Sequence, residues 1–148
     1  MQIRRILLPT DLSEEGERAL VPVVELARRY HAALQLLHVV EDIAVGTSGD
    51  PLAPPVHIPG ALQEMKRASA VLEERRQRVG PGIDVSAQVI SASSVPRAIA
   101  EHAAEHGFDL IALSSHGRSG FRRLIMGSVA ETVLRHATAP VLIFPRQE

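Results

Sequence analysis

Between residues 114 and 133 the chain reads SSHGRSGFRRLIMGSVAETV. Three glycines (Gly117, Gly120, Gly127) and five hydroxyl side chains surround a short basic stretch that runs into an apolar helical pattern. Glycine admits positive φ and a close approach of backbone to a ligand. A helix N-terminus offers N–H groups without intrahelical acceptors, together with the positive end of the helix dipole. Gly127-Ser128 at a helix start is therefore a candidate anion site, with the Ser119 and Ser128 hydroxyls as further donors. A surface turn would account for any one of these glycines; three in one loop favour anion binding. Two common phosphate designs are ruled out, since there is neither G-x-x-x-x-G-K-[ST] nor a G-x-G-x-x-G after the first strand. Lys66 is the sole lysine beside fifteen arginines, so phosphate would be held by backbone N–H groups, hydroxyls and arginine. Arg118, Arg122 and Arg123 lie in the same loop and either pair with a polyphosphate or form a solvated basic turn.

A second polar cluster, Pro9-Thr10-Asp11, closes the apolar run Ile3–Leu8. Asp11 is the one acid in the two loops; it is either a ligand acceptor or a turn and capping residue. Other signals are weaker. His102-Ala103-Ala104-Glu105-His106 matches the H-x-x-E-H zinc pattern, but lies on a short helix, and a solvated or partly buried helix face explains it better. Arg75, Arg76 and Arg78 share a helix with Glu73 and Glu74 and read as a solvated face. No Ser-His-Asp arrangement is legible, and His116 is given no catalytic role. The acidic cluster and late lysine of a response-regulator receiver are missing.

The elements that position these loops follow from periodicity. Buried strands are expected at Ile3–Leu8, Ala33–Val40, Asp84–Ile90, Phe108–Leu113 and Pro140–Phe144. Helices are expected from Ser13, as N-cap, to about Tyr30 with a kink at Pro22, and over Ala61–Val79, Val95–His106 and Gly127 to about His136. Glu41–Gly60, rich in Gly, Pro and Ser, is too long for an ordinary connection and is expected to be mobile or a lid. Strands apolar throughout and alternating with helices predict an α/β fold: one domain over residues 1–148, a doubly wound parallel five-stranded sheet with helices on both faces. Ligands on such sheets bind at the carboxyl ends of the strands where the winding reverses. If strands one and four are neighbours there, Thr10-Asp11 and Ser114–Gly117 face one crevice.

Composition agrees. The chain has 148 residues, 45% of them apolar, with 16 basic against 17 acidic and no cysteine. This suits a folded domain without disulfides and argues against a dedicated nucleic-acid binder. No run reaches the ~20 apolar residues of a membrane span, and no signal peptide is evident, so a cytoplasmic protein is the expectation.

The stretch GRSGFRRLIMGSVAETVLRHATAPVLIF, with ILLPTDLSE and LLHVVE earlier, resembles the universal stress protein family over nearly the whole length. Its ATP-binding branch carries Gly, two residues, Gly, nine residues, then Gly-Ser or Gly-Thr; here Gly117 is followed after nine residues by Gly127-Ser128 and Val129. The resemblance implies the strand order 3-2-1-4-5, which makes strands one and four neighbours, and ATP, with or without Mg²⁺, as the ligand. Asp11 would then accept from the ribose hydroxyls, Pro9 and Thr10 would line the adenosine, and Val39 would meet the adenine edge through its backbone. Gly117, Gly127, Ser128 and Val129 would lie against the phosphates, with Ser114, His116, Arg118 and Gly120 completing the binding loop. The family's first glycine falls on Ser114 here. If positive φ is needed there, serine is predicted to carry backbone strain of order 1 kcal/mol, which Ser114→Gly would relieve. The resemblance further implies a homodimer through the last strand, Val141, Leu142 and Ile143, and a sensor or regulator rather than a fast enzyme. A weak ATP hydrolase or phosphotransferase, and a stress protein acting through protein contacts without nucleotide, stay open as alternatives.

Overall fold

A computed structural model of the chain describes residues 2–42, 60–115 and 127–145. In chain order the elements are β1 (Arg5–Pro9), α1 (Glu14–Arg18), α2 (Leu20–Tyr30), β2 (Ala33–Glu41), α3 (Gly60–Arg78), β3 (Val85–Ala92), α4 (Val95–Glu105), β4 (Leu110–Ser114), α5 (Ser128–His136) and β5 (Val141–Phe144). The strands form one parallel sheet, as their alternation with helices predicts, in the order β3-β2-β1-β4-β5 that the resemblance implies. Expected boundaries hold to within two residues. All but the ends of the 41–60 segment lie outside the described residues.

The central strands are continuously apolar because helices cover both faces. Ile6 and Leu8 of β1 join Leu34 and Leu36 of β2 in a core closed by Val23, Val24 and Ala27 of α2 and Leu72 of α3. Leu7, Leu37, Ile111 and Leu113 point the other way, into a second core with Ile99 and Ala103 of α4, Phe108, and Val133 of α5. The edge strand β3 instead alternates half-buried and exposed residues along most of its length. Asp109 fixes the start of the central pairing: its Oδ2 accepts from the N–H of Arg4 at 2.8 Å and of Arg5 at 2.9 Å.

The first helical stretch breaks at Ala19 rather than bending smoothly. Pro22 has no N–H for the Arg18 carbonyl; the break places it in the first turn of α2, where no donor is required. α3 departs from the expected solvated basic face at one residue. Arg76 and Arg78 do point outward, to Glu73 and to Glu74 and Glu17. The Arg76 guanidinium and the Gln77 amide hold the Glu73 carboxyl down at about 2. Arg75, however, is only 7% exposed. It falls in register with Ala68, Leu72 and Val79, the buried stripe of the helix, so the helical period carries it inward.

Candidate functional site

The crevice arises from unequal strand lengths. β1 ends at Pro9, paired with Leu37, whereas β2 runs on to Glu41 and β4 on to Ser114. Backbone groups alternate sides along a strand. The Thr10 N–H donates to the Leu37 carbonyl at 2.8 Å. The groups of Val39 therefore turn toward the same side, into the space that β1 vacates. A cavity of about 540 Å³ fills this space. One wall is apolar, from Leu37, Val39, Ile99 and Leu113; Thr10, Asp11, Ser114 and Ser128 supply polar groups.

The loop after β1 is tightly organised. Ser13 caps α1 by accepting from the Gly16 N–H at 3.1 Å. Asp11 Oδ1 accepts from the Ser13 N–H at 3.0 Å and from its hydroxyl at 2.5 Å. Leu12 adopts φ 63, a left-handed backbone unusual for a large side chain. His38 Nδ1 donates to the Thr10 carbonyl at 2.7 Å. Gly16 abuts the same turn: a Cβ there would lie 2.9 Å from both Thr10 Oγ1 and Asp11 Oδ1, so only glycine fits without displacing them.

On the far side, α5 begins at the cavity with Gly127 as N-cap, and no side chain caps it among the described residues. The N–H groups of its first turn, from Ser128 to Ala130, have no intrahelical acceptor. Gly127 itself does not behave as expected. Its φ of −59 is an ordinary one, and its N–H donates to the Ser115 carbonyl at 2.9 Å instead of pointing at a ligand. The ionisable side chains lining the cavity among the described residues are His38 and the acids Asp11, Glu41 and Glu64. Positive potential on that lining comes from the α5 terminus.

Of the predicted site residues, Pro9, Thr10, Asp11, Val39, Ser114, Gly127, Ser128 and Val129 meet at this cavity. His116, Gly117, Arg118 and Gly120 lie outside the described residues. Ser114 is corrected in one respect. It is the last residue of β4, paired with Phe144, and positive φ among described non-glycine residues is confined to Leu12 and His31. An extended strand position suits serine, so the strain expected at Ser114 is not there. Gly16 and Arg75 were missed by sequence reasoning; for Arg75 the 68-72-75-79 spacing was the available signal.

The zinc-like motif resolves into packing. His102, buried, donates from Nε2 to Gln35 Oε1 at 2.6 Å, and its ring stacks on His106 at 4.1 Å. His106 Nδ1 donates to the His102 carbonyl. Burial, and secondarily the neighbouring His106, push the His102 imidazole below its ordinary value. Among the described residues no three His, Asp or Glu side chains converge as a metal site, and no helix is long and apolar enough to cross a membrane.

A doubly wound α/β sheet with its cleft at the switch point defines the class of protein. A sequence model of the Universal stress protein family matches residues 2–145. The chain belongs to that family. It is 33% identical over 143 residues to Universal stress protein YxiE of Bacillus subtilis (strain 168), covering 94% of this chain and 97% of that one. Among solved structures it is similar to universal stress protein UspA from Lactobacillus plantarum, with TM-score 0.78, 26% identity and coverage of 97% and 99%. The fold is shared with the universal stress protein from Archaeoglobus fulgidus in complex with dAMP, at TM-score 0.63, 21% identity and coverage of 97% and 98%.

Proposed function

We propose that this chain is an ATP-binding sensor or regulatory module that works as a homodimer. The observation that carries the reading is the cavity itself: about 540 Å³, apolar on one wall, with the N-terminus of α5 across from the Thr10–Asp11 turn. A nucleotide needs those three features, a slot for the base, acceptors for ribose hydroxyls and N–H donors for phosphate. In this reading the base lies against Leu37, Val39 and Ile99 and meets the Val39 backbone. Asp11 accepts from the ribose, and its Oδ1 also accepts from Ser13. Phosphate lies on the N–H groups of Ser128 and Val129; the family resemblance assigns Gly117, Gly120 and Arg118 to the same phosphate. A Mg²⁺ ion would be carried by the phosphates and water rather than by a protein cage. The relative crystallised with dAMP supports the ligand class.

The dimer reading rests on β5. It is an edge strand bearing Val141, Leu142 and Ile143, with Leu142 36% exposed. An apolar edge invites pairing with a copy of itself across a two-fold axis.

Two measurements test the proposal. Mass spectrometry of small molecules released from freshly purified protein should find adenine nucleotide, and calorimetry with ATP should give saturable binding; no binding at millimolar ATP would sink the nucleotide reading. Light scattering should give about twice the 16.0 kDa chain mass, and Leu142→Pro should shift the protein toward monomer. A native monomer at high micromolar concentration would refute the dimer.

A further inference from the structure

We propose that Arg75, on α3 and remote from the chain segments named above, is the positioning residue of this site, and that it fixes Thr10 as a hydrogen-bond donor to the bound ligand. The proposal rests on the nucleotide reading for the identity of that ligand. Arg75 reaches out of the buried stripe of α3 into the turn after β1. Its Nη1 donates to Thr10 Oγ1 at 2.9 Å; its Nη2 donates to the Leu12 carbonyl at 2.8 Å and the Ser13 carbonyl at 3.2 Å. Glu17 lies 3.8 Å from Nη2 and partly balances the charge.

Two consequences follow. The first concerns conformation. Leu12 holds a left-handed φ of 63 that a leucine does not adopt without support. Its carbonyl is held by Arg75 and its N–H by Thr10 Oγ1, at 3.1 Å, so the turn is fixed from both sides of the strained residue. The second concerns valence. A hydroxyl has two acceptor lone pairs and one proton. Thr10 Oγ1 accepts from both Arg75 and the Leu12 N–H, which uses both lone pairs. Toward anything in the cavity it lines, Thr10 can then act only as a donor. The ligand atom it meets must be an acceptor: a ring nitrogen of the base or a ribose oxygen, not an amino group or a hydroxyl proton. A lysine at 75 would keep the charge but lose the planar fork that serves three acceptors.

The experiment combines ATP calorimetry with amide hydrogen exchange on the full chain, at a temperature where every variant is folded. Thr10→Val and Arg75→Met should each weaken ATP by about tenfold, and the double variant should lose about the same tenfold rather than a hundredfold, since both act through one hydroxyl. Thr10→Ser should restore wild-type affinity; Arg75→Lys should not. In Arg75→Met the amides of Leu12, Ser13 and Gly16 should exchange faster while those of Leu36 and Ile111 do not. Additive losses, or wild-type affinity in folded Arg75→Met, would overturn the proposal. So would uniformly faster exchange, which marks a merely structural arginine. If the wild-type protein bound no ATP, the nucleotide reading would fail. The exchange pattern would then still decide whether Arg75 holds the turn.

Discussion

Both ends of the sheet gather polar groups beside apolar cores, and they dispose of them differently. At the amino end the groups satisfy one another. Asp109 takes the N–H groups of Arg4 and Arg5, His102 is bonded to Gln35, and the Arg5 guanidinium sits 4.6 Å above the Phe108 ring and donates to the His106 carbonyl. At the carboxyl end, strand and helix termini turn their backbone groups into a cavity instead. A pair of histidines one helical turn apart, or a run of arginines, says little about where a ligand goes. Backbone valence left over by unequal strand lengths says more.

Phe108→Ala at the sealed end removes a buried ring (6% exposed) and should cost about 3–5 kcal/mol of stability in denaturant unfolding, with ATP affinity unchanged. A loss of ATP binding in that folded variant would show that the two ends are not separate. Gly16→Ala does the opposite. Its Cβ would lie 2.9 Å from Thr10 Oγ1 and Asp11 Oδ1, so the turn must move; ATP affinity should fall at least about tenfold, with only about 1–3 kcal/mol lost in stability. Wild-type affinity there would remove the Thr10–Asp11 turn from the site.

A smaller effect comes from pH. The folded-state value of His102 is lowered, so on acidification the unfolded chain takes up its proton first. The stability linked to this histidine is fully present above the ordinary value of about 6.5 and is lost as pH falls below it. Arg5 and His106 disfavour the charged ring, and Glu105 partly offsets them. Melting temperatures on either side of that pH should fall less in His102→Gln than in the native protein, without any change in ATP affinity. The smallest effect is expected at Ser114→Gly. With no left-handed backbone to relieve, affinity should not rise, while a glycine in the strand costs about 0.5–1 kcal/mol of stability. Tighter ATP binding would reinstate the strain that the strand geometry removes.

The parallel sheet and both cores were legible because apolar runs and helical spacing are local signals of global burial: Ile6 to Leu8 could only be a strand covered on both faces. The strand order came from the resemblance, since local signals do not say which strands are neighbours. That Thr10, Asp11 and Ser128 line one crevice was legible once that order was assumed, because they follow strands or open a helix at the carboxyl end of the sheet. Arg75 was not, since charge type argues for solvent and only the periodicity of Ala68, Leu72 and Val79 argues otherwise. Nor was Leu12, whose left-handed backbone is imposed by bonds from a helix more than sixty positions away. The Gly127 N–H was misjudged because the Ser115 carbonyl that takes it belongs to a separate element.

The position of β1 at the centre of the sheet has a consequence for synthesis. It is made before the other strands and finds β2 soon after, but its other edge pairs with β4, at Leu110 and Ile111. For about a hundred residues of translation, at roughly 5–20 residues per second, that apolar edge has no partner in the chain. A nascent chain in this state is a natural client for a chaperone. The cleft needs β4 and α5 for its second wall, so it assembles late. A ligand that fits it would bind only chains that have reached α5, and would protect those from proteolysis while leaving earlier stalled chains exposed.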